Sequence, residues 1–153
     1  MESLGKTSLV LDTSVLVEYI VRKAPYRSKV EKLFKEAATG KLKLYVSYVT
    51  LSETLYVASR IYQVAKVSDP NNEALNYIMW LKSRVEVIGI DENIALRAGE
   101  LKKLLHIALP DCYVIATAET LHATPLFKKI EKEMKPVQDT LRKLGVKFLE
   151  ETP

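Results

Sequence analysis

The sequence has one cysteine, two histidines and no long hydrophobic run, and each shortage excludes a class of protein. Cys112 alone provides neither an internal disulfide nor a cysteine-based zinc site. His106 and His122 lie near predicted helix ends and form no pair of metal ligands. The apolar stretches are too short to span a bilayer, and residues 1–6 lack the features of a signal peptide. These absences indicate a cytoplasmic globular protein.

What the chain does contain is enough apolar material for one folded domain. Its 153 residues, of which 48% are hydrophobic, fit a domain with a sizeable core. The sequence has no internal repeat, low-complexity tract or linker long enough to divide it. We therefore expect a single domain over residues 1–153.

The formal net charge is +4, and the excess positive charge lies near the C-terminus. Residues 128–147 hold seven lysines and arginines against three acids. Beside an acidic site, such a segment suits a phosphate-bearing polymer as substrate. The same composition is also typical of a solvated helix face, and the segment alone favours that interpretation.

Apolar periodicity predicts strands that alternate with helices along the chain. Strands are expected at residues 8–11, 42–47, 85–90, 124–127 and 146–149. Helices are expected at residues 15–22, 30–39, 51–65, 74–81, 94–105 and 109–121, followed by a basic helix that Pro136 kinks or divides. This alternation indicates an α/β fold with a mostly parallel sheet of about five strands, covered on both faces.

Asp12 follows the first apolar run, residues 9–11, and precedes Thr13 and Ser14. Ligand sites of open parallel sheets form outside the carboxyl ends of the strands, which is where this acid is expected. Asp is also a favourable helix N-cap, whereas a lone carboxylate at the end of a buried strand is costly unless it is paired or bound to a metal. The stretch supports the two interpretations about equally.

Two further acids are predicted at comparable junctions, Glu53 after the second strand and Asp111 at the start of a nearly all-apolar helix. Each has a structural alternative. Residues 50–53 match a capping box, and Pro110 followed by Asp111 is an ordinary helix opening. Asp91 resembles an exposed helix cap, and we leave it out of the site.

Three carboxylates gathered at one point would repel one another unless a cation neutralised them. A hard ion such as Mg²⁺ or Mn²⁺ takes carboxylate oxygens and retains several waters. One such water, with its pKa lowered by the metal, can attack a phosphodiester. We therefore predict a divalent-metal site formed by Asp12, Glu53 and Asp111, with Ser14 hydrogen-bonded to Asp12 or to a phosphate.

Together these motifs resemble the PIN-domain family, and most closely the VapC-type toxins of prokaryotic toxin–antitoxin pairs. The resemblance rests on residues 11–14, 51–53 and 110–118, which read Leu-Asp-Thr-Ser, Leu-Ser-Glu and Pro-Asp-Cys-Tyr-Val-Ile-Ala-Thr-Ala. It implies a three-layer α/β/α sandwich, a Mg²⁺- or Mn²⁺-dependent endoribonuclease with an RNA substrate, a homodimer and a small antitoxin partner. In that family, residues matching Asp12, Glu53 and Asp111 hold the metal, and a small polar residue matching Ser14 supports them.

The chain departs from the family pattern where a fourth acid usually follows the fourth strand. Lys129 stands where the first aspartate of that pattern would be, and Glu131 matches the second. The departure implies that a second metal is weak or absent. It would lower activity, or replace a metal ligand with a cation that contacts phosphate. Glu131 is the candidate fourth acid, and Lys128 and Lys129 are candidate contacts to RNA phosphate.

Two other functions stay open at this point. Lys129 is compatible with a PIN-like module that binds RNA or a protein without cutting it. A phosphatase or phosphoacceptor with Asp12 as nucleophile fits less well, because Ser14 stands where a haloacid-dehalogenase-type site needs an acid. A receiver domain normally has adjacent acids early in the chain, and these are missing.

Four aromatic residues fall on two successive predicted helices: Tyr56, Tyr62, Tyr77 and Trp80. If the two helices pair, these side chains would line a groove for a second copy or for an antitoxin. A plain core stripe is at least as good an interpretation of the same spacing.

Overall fold

A computed structural model describes residues 7–153, which form five strands and seven α-helices. The strands are β1 (Thr7–Leu11), β2 (Leu42–Ser47), β3 (Glu86–Ile88), β4 (Thr124–Phe127) and β5 (Lys147–Phe148). The helices are α1 (Thr13–Glu18), α2 (Arg27–Ala38), α3 (Tyr48–Val64), α4 (Pro70–Lys82), α5 (Glu92–Leu105), α6 (Leu109–Leu121) and α7 (Gln138–Lys143). Short 3₁₀ helices at Lys132–Val137 and Leu149–Glu151 precede α7 and follow β5.

Two of the sequence predictions concern membranes and export. Within residues 7–153, every helix is too short or too polar to cross a membrane. The prediction that residues 1–6 are no signal peptide falls outside the described residues.

All five strands form one sheet in the order β3-β2-β1-β4-β5, and every neighbouring pair is parallel. β1 is central: Leu9 pairs with Leu44 of β2 on one side and with Thr124 of β4 on the other. The chain runs outward from β1 to β3 and then crosses to β4, so the order reverses between β1 and β4. Ligands of open α/β sheets bind at such a switch point, outside the carboxyl ends of the strands.

Helices cover both faces of the sheet, because successive side chains of β1 point to opposite sides. Leu9 and Leu11 pack with α1, α2 and α4 on one face, and Val10 packs with α5, α6 and α7 on the other. Leu11 and Val10 have no exposed surface. The predicted α/β/α sandwich around about five mostly parallel strands is confirmed.

Three elements begin and end where the sequence predicts: β2, α6 and β4. Asp91 is the helix cap that the sequence predicts. Its carboxylate accepts the backbone N–H of Ile94 at 2.8 Å at the start of α5. Local signals determine these boundaries, so they could be predicted from sequence.

Other elements are shorter than predicted. α1 ends at Glu18 instead of Arg22, because the side chain of Arg27 donates to the carbonyl of Tyr19 at 2.8 Å and satisfies the end of the helix. The edge strands β3 and β5 also lose residues from their predicted ranges, since each pairs with one neighbour only.

α3 begins three residues earlier than predicted, which changes the interpretation of Glu53. Ser47 is the N-cap, and its hydroxyl accepts the backbone N–H of Val49 at 3.2 Å. Thr50 therefore lies inside the helix, and the capping box predicted at residues 50–53 is wrong. Glu53 lies in the second helical turn and takes no part in capping.

The basic C-terminal segment is divided, and Pro136 lies in its first part. Lys132–Val137 is a 3₁₀ helix, and α7 follows it as a separate short helix. Proline has no N–H to donate, so it does not support a continuous α-helix. Met134 and Leu141 are buried against the α5–α6 side of the sheet and hold both pieces in place.

The aromatic residues of α3 and α4 divide between the two interpretations. Tyr77 is buried and donates its hydroxyl to a backbone carbonyl of α1. Trp80 stacks on Tyr19 with ring centroids 5.0 Å apart. These two therefore contribute to packing, whereas Tyr56 is 61% exposed. Tyr62 joins Tyr77 and Trp80 in lining a surface cavity of about 440 Å³.

Candidate active site

The candidate site lies at the switch point, where β1 ends and α1 begins. Asp12 has extended backbone angles (φ −79°, ψ 159°). Its backbone N–H donates to the carbonyl of Leu126 in β4 at 3.0 Å, which ties it to the neighbouring strand. The Asp12 side chain therefore stands both at the carboxyl edge of the sheet and at the N-terminus of a helix.

The two oxygens of the Asp12 carboxylate have different environments. Oδ2 accepts the backbone N–H of Ser14 at 3.0 Å and the Ser14 hydroxyl at 2.7 Å. Oδ1 is buried and has no hydrogen-bond partner among residues 7–153. A buried acceptor left unpaired costs about 1–3 kcal/mol, so a cation or a bound water is needed to satisfy it. Both interpretations of Asp12 therefore apply: one oxygen caps α1, and the other is available to a ligand.

The carboxyl groups of Asp12, Glu53 and Asp111 lie near enough to influence one another electrostatically. Burial raises the pKa of Asp111 to about 8, and the charges of Asp12 and Glu53 contribute to the rise. Burial also raises the pKa of Asp12, with a contribution from Glu53, while the hydrogen bonds from Ser14 oppose the rise. The structure thus brings together three acids that are far apart in the chain.

These carboxyl groups do not by themselves form a complete set of metal ligands. Among residues 7–153, no three His, Cys, Asp or Glu side chains are arranged to hold a metal ion. Glu53 instead accepts the hydroxyl of Thr13 at 2.6 Å. Mg²⁺ is commonly bound through one or two carboxylates and several waters. The unpaired oxygen of Asp12, with Asp111 near it, therefore fits Mg²⁺ or Mn²⁺ bound in that way.

Ser14 connects Asp12 to the segment that follows β4. Its hydroxyl donates to Asp12 Oδ2 and accepts the backbone N–H of Lys128 at 3.0 Å. Of the two contacts that the sequence allowed for Ser14, the structure has the one to Asp12. Because the hydroxyl both donates and accepts, it holds the Asp12 carboxylate in one orientation.

The two lysines predicted to contact RNA have different surroundings. Lys128 Nζ lies 3.4 Å from Glu18 Oε1, and the Glu18 side chain is only 4% exposed. The charge of Lys128 therefore neutralises a buried acid, which leaves this lysine less available to RNA than the exposed Lys129. Lys129 is exposed and makes no hydrogen bond or ion pair within the part of the chain that the structure describes.

Two acids beyond β4 lie near the site, and sequence reasoning identified only one of them. The charges of Glu133 and Glu131 both raise the pKa of Asp111, after the larger effects of burial and of the two other site acids. Glu131 immediately precedes the 3₁₀ helix, and Glu133 lies in its first turn. Glu133 adjoins Met134, whose burial only the structure reveals.

Sequence reasoning also missed Glu18 and Thr13. Glu18 follows Ser14 by four residues, so the two share a face of α1. Thr13 adjoins the first predicted acid and donates to Glu53. The spacing was visible in the sequence, but the partners, Lys128 and Glu53, lie far along the chain and only the fold reveals them.

The PIN domain family matches residues 9–130, and no curated protein sequence matches the chain. Similar solved structures include VapBC2 from Rickettsia felis bound to a DNA fragment from its promoter, which is 24% identical with a TM-score of 0.62 and covers 85% of this chain and 92% of that chain. VapBC-1 from nontypeable Haemophilus influenzae is 19% identical with a TM-score of 0.64, and the match covers 95% of this chain and 100% of that chain.

A third similar structure is VapC20 from Mycobacterium tuberculosis, described as a sarcin–ricin loop cleaving toxin. It is 13% identical with a TM-score of 0.61 and covers 84% of this chain and 94% of that chain. At these identities the structural likeness shows the shared fold. The sequence match to the family includes Asp12, Glu53 and Asp111 and spans most of the chain. On that evidence the chain belongs to the PIN domain family.

Proposed function

We propose that this chain is a metal-dependent endoribonuclease that acts as the toxin of a toxin–antitoxin pair. The observation that carries the proposal is the buried, unpaired Oδ1 of Asp12. It lies at the switch point of a PIN-domain sheet, with the carboxyl groups of Asp111 and Glu53 near it. An unpaired buried oxygen in an acidic group favours a cation as its partner.

Asp12 and Asp111 would hold the ion directly, and Glu53, which accepts the Thr13 hydroxyl, would act on it through a bound water. When bound, Mg²⁺ or Mn²⁺ supplies an activated water and neutralises charge that develops on the phosphodiester. Such an ion also favours the carboxylate form of Asp111, whose pKa of about 8 otherwise keeps it largely protonated at neutral pH.

The other residues of the site act on orientation and on the substrate. Ser14 fixes the Asp12 carboxylate, and Thr13 holds Glu53 at 2.6 Å. Lys129 would contact a phosphate of the bound strand, because its ammonium is exposed and has no partner among the described residues.

RNA is the proposed substrate on two grounds. The segment from residue 128 to residue 147 carries an excess of positive charge, which suits a polyanion. One similar structure is described as a toxin that cleaves the sarcin–ricin loop.

An antitoxin and a second copy of the chain are the proposed protein partners. Similar structures are described as VapBC and as a toxin–antitoxin complex, which supports an antitoxin for this chain. The cavity beside Tyr62, Tyr77 and Trp80 is one candidate contact for such a partner. We extend the proposal to a single cytoplasmic domain that forms a homodimer.

A second function is favoured by two observations. Lys129 stands in place of the usual fourth acid, and the described residues hold no ready group of three metal ligands. A module that binds RNA without cutting it would have these features. It would bind RNA in a salt-sensitive manner and show no metal-dependent turnover.

The test of the first proposal is cleavage of an end-labelled single-stranded RNA of mixed sequence. We expect fragments in the presence of Mn²⁺ or Mg²⁺, none with excess EDTA, and none from Asp12→Asn. Asn retains the capping ability of Asp, so this substitution removes the charge of Asp12 while α1 keeps its N-cap.

Asp91→Asn is the matched control, because Asp91 caps α5 in the way that Asp12 caps α1. The control should cleave RNA at the wild-type rate. Cleavage that persists in EDTA, or that Asp12→Asn does not affect, would contradict the metal mechanism. Salt-sensitive binding of RNA without any cleavage would favour the binding module.

A further inference from the structure

We infer that Lys128 and Glu18 are positioning residues, whose buried ion pair holds Ser14 and the Asp12 carboxylate in the orientation that a metal ion needs. The inference rests on the proposed function and gives Lys128 and Glu18 a role that no sequence motif indicates. Neither residue would touch the substrate or the ion. Both would act through Ser14.

Lys128 contacts the same face of α1 at two points. Its backbone N–H donates to Ser14 Oγ at 3.0 Å, and its ammonium lies 3.4 Å from Glu18 Oε1. Ser14 and Glu18 are four residues apart in the helix, which brings their side chains to one face. Lys128, the first residue after β4, therefore contacts α1 at both Ser14 and Glu18.

Further hydrogen bonds fix both partners of the Lys128–Glu18 ion pair. On the α1 side, Glu18 Oε2 accepts the backbone N–H of Tyr26 at 2.8 Å, which fixes the carboxylate. On the β4 side, the carbonyl of Lys128 accepts the backbone N–H of Glu150 at 2.9 Å. The Glu150 side chain also accepts the backbone N–H of Ile130 at 2.9 Å. The residues after β4 are thus connected to Glu150 and, through Lys128, to α1.

Burial makes the ion pair a strong constraint. The Glu18 side chain is 4% exposed, and Lys128 is 27% exposed at its side chain. A carboxylate this deeply buried is costly without a cation, because its charge has lost most of its hydration. Breaking this pair should therefore cost more stability than breaking an exposed ion pair, which contributes little to the free energy of unfolding.

The Ser14 hydroxyl connects Lys128 to the Asp12 carboxylate. Because the N–H of Lys128 occupies an acceptor site of Ser14 Oγ, the hydroxyl proton is directed to Asp12 Oδ2. Oδ2 is then fully engaged, and Oδ1 is the oxygen left for the ion. Partners that orient a metal ligand in this way typically affect metal affinity by about 10–100-fold.

The test measures Mn²⁺ affinity by titration calorimetry and hydrogen exchange of the Lys128 amide. Lys128→Met removes the charge and keeps most of the apolar stem. We expect Mn²⁺ to bind about 10–100-fold more weakly and the amide at position 128 to exchange faster. Lys128→Arg restores a cation facing Glu18 and should bind Mn²⁺ close to the wild-type affinity.

A second variant distinguishes loss of the ion pair from unfolding of Lys128→Met. In Glu18→Gln with Lys128→Met, no unpaired charge is buried, so the protein should melt near the wild-type temperature. It should still bind Mn²⁺ more weakly, because the ion pair between positions 18 and 128 is absent. Lys43→Met, which breaks the exposed pair with Glu86, is the control and should change neither measurement.

Wild-type Mn²⁺ affinity and wild-type amide protection in the folded double variant would overturn the inference. Failure of the proposed function is distinguishable. If the wild-type protein itself binds no Mn²⁺, the metal mechanism fails, and the exchange rate of the amide at position 128 in Lys128→Met still decides whether the ion pair holds the Ser14 contact.

Discussion

Ser14 donates its hydroxyl to Oδ2 of Asp12 at 2.7 Å, while Oδ1 of the same carboxylate is buried and unpaired within residues 7–153. Capping α1 requires only one carboxylate oxygen, and Asp12 uses Oδ2 for it. The second oxygen has no structural task among these residues. Local helix chemistry and the proposed ion therefore do not compete for the same atom.

Ser14→Ala should lower both activity and stability. The substitution removes one of the two hydrogen bonds to Asp12 Oδ2 and leaves the backbone N–H of Lys128 without its acceptor. We expect cleavage to fall by about 10–100-fold, as for other partners of metal ligands. The free energy of unfolding should fall by about 1–2 kcal/mol, measured by urea denaturation.

Ser52→Ala is the control for that change. Ser52 is exposed and donates only to a backbone carbonyl of α3. Its removal should leave the cleavage rate unaltered. Equal activity of the Ser14 and Ser52 variants would show that the Ser14 hydroxyl has no part in the site.

The metal-free protein should lose stability as the pH rises from about 4 to about 8. Asp111 has a pKa of about 8 when folded, above its ordinary value near 3.8. Between these values the folded protein holds a proton that the unfolded chain has released, so raising the pH favours unfolding. Thermal melts in EDTA should show this fall in the wild type, and a weaker one in Asp111→Asn. Identical pH dependence of the two proteins would contradict it.

Binding of Mn²⁺ near neutral pH should release a proton. Because Asp111 is largely protonated below a pKa of about 8, an ion that takes its carboxylate displaces that proton. Calorimetry in two buffers with different ionisation enthalpies measures the number released. In Asp111→Asn the buffer dependence should largely disappear; a dependence that stays unchanged would assign the proton to another group.

Lys129→Ala should weaken RNA binding without affecting the ion. If the ammonium contacts one phosphate, the slope of log affinity against log salt should become shallower by about 0.7, the value for a single strand. Mn²⁺ affinity should stay at the wild-type level. Lys82→Ala, an exposed lysine at the end of α4, is the control. An unchanged slope in Lys129→Ala would exclude the phosphate contact.

The fold and the three central acids could be predicted because local signals carry them. Asp12 ends an apolar strand, and Asp111 opens an apolar helix, so both positions follow from the periodicity of the chain. Parallel topology then brings the strand ends to one edge of the sheet. Glu53 lies close enough to affect the pKa of Asp111, although its helix begins earlier than the sequence predicts, and its role in the site stays a prediction.

The residues that the sequence did not reveal depend on contacts between distant segments. The sequence did not show the partner of Lys128, because the buried Glu18 precedes it by most of the chain length. Glu133 approaches Asp111 because a 3₁₀ turn, and not a long basic helix, follows β4. Side-chain direction in such a turn depends on tertiary packing, which the sequence pattern alone does not specify.

We propose that Asp12, Asp111 and Glu53 share one divalent cation. Diffraction data collected above the manganese absorption edge, from a crystal soaked in Mn²⁺, would locate that ion. We expect an anomalous peak in contact with Oδ1 of Asp12 and beside Asp111. A fully soaked crystal with no peak there, or with Oδ1 bonded to a protein group instead, would contradict it.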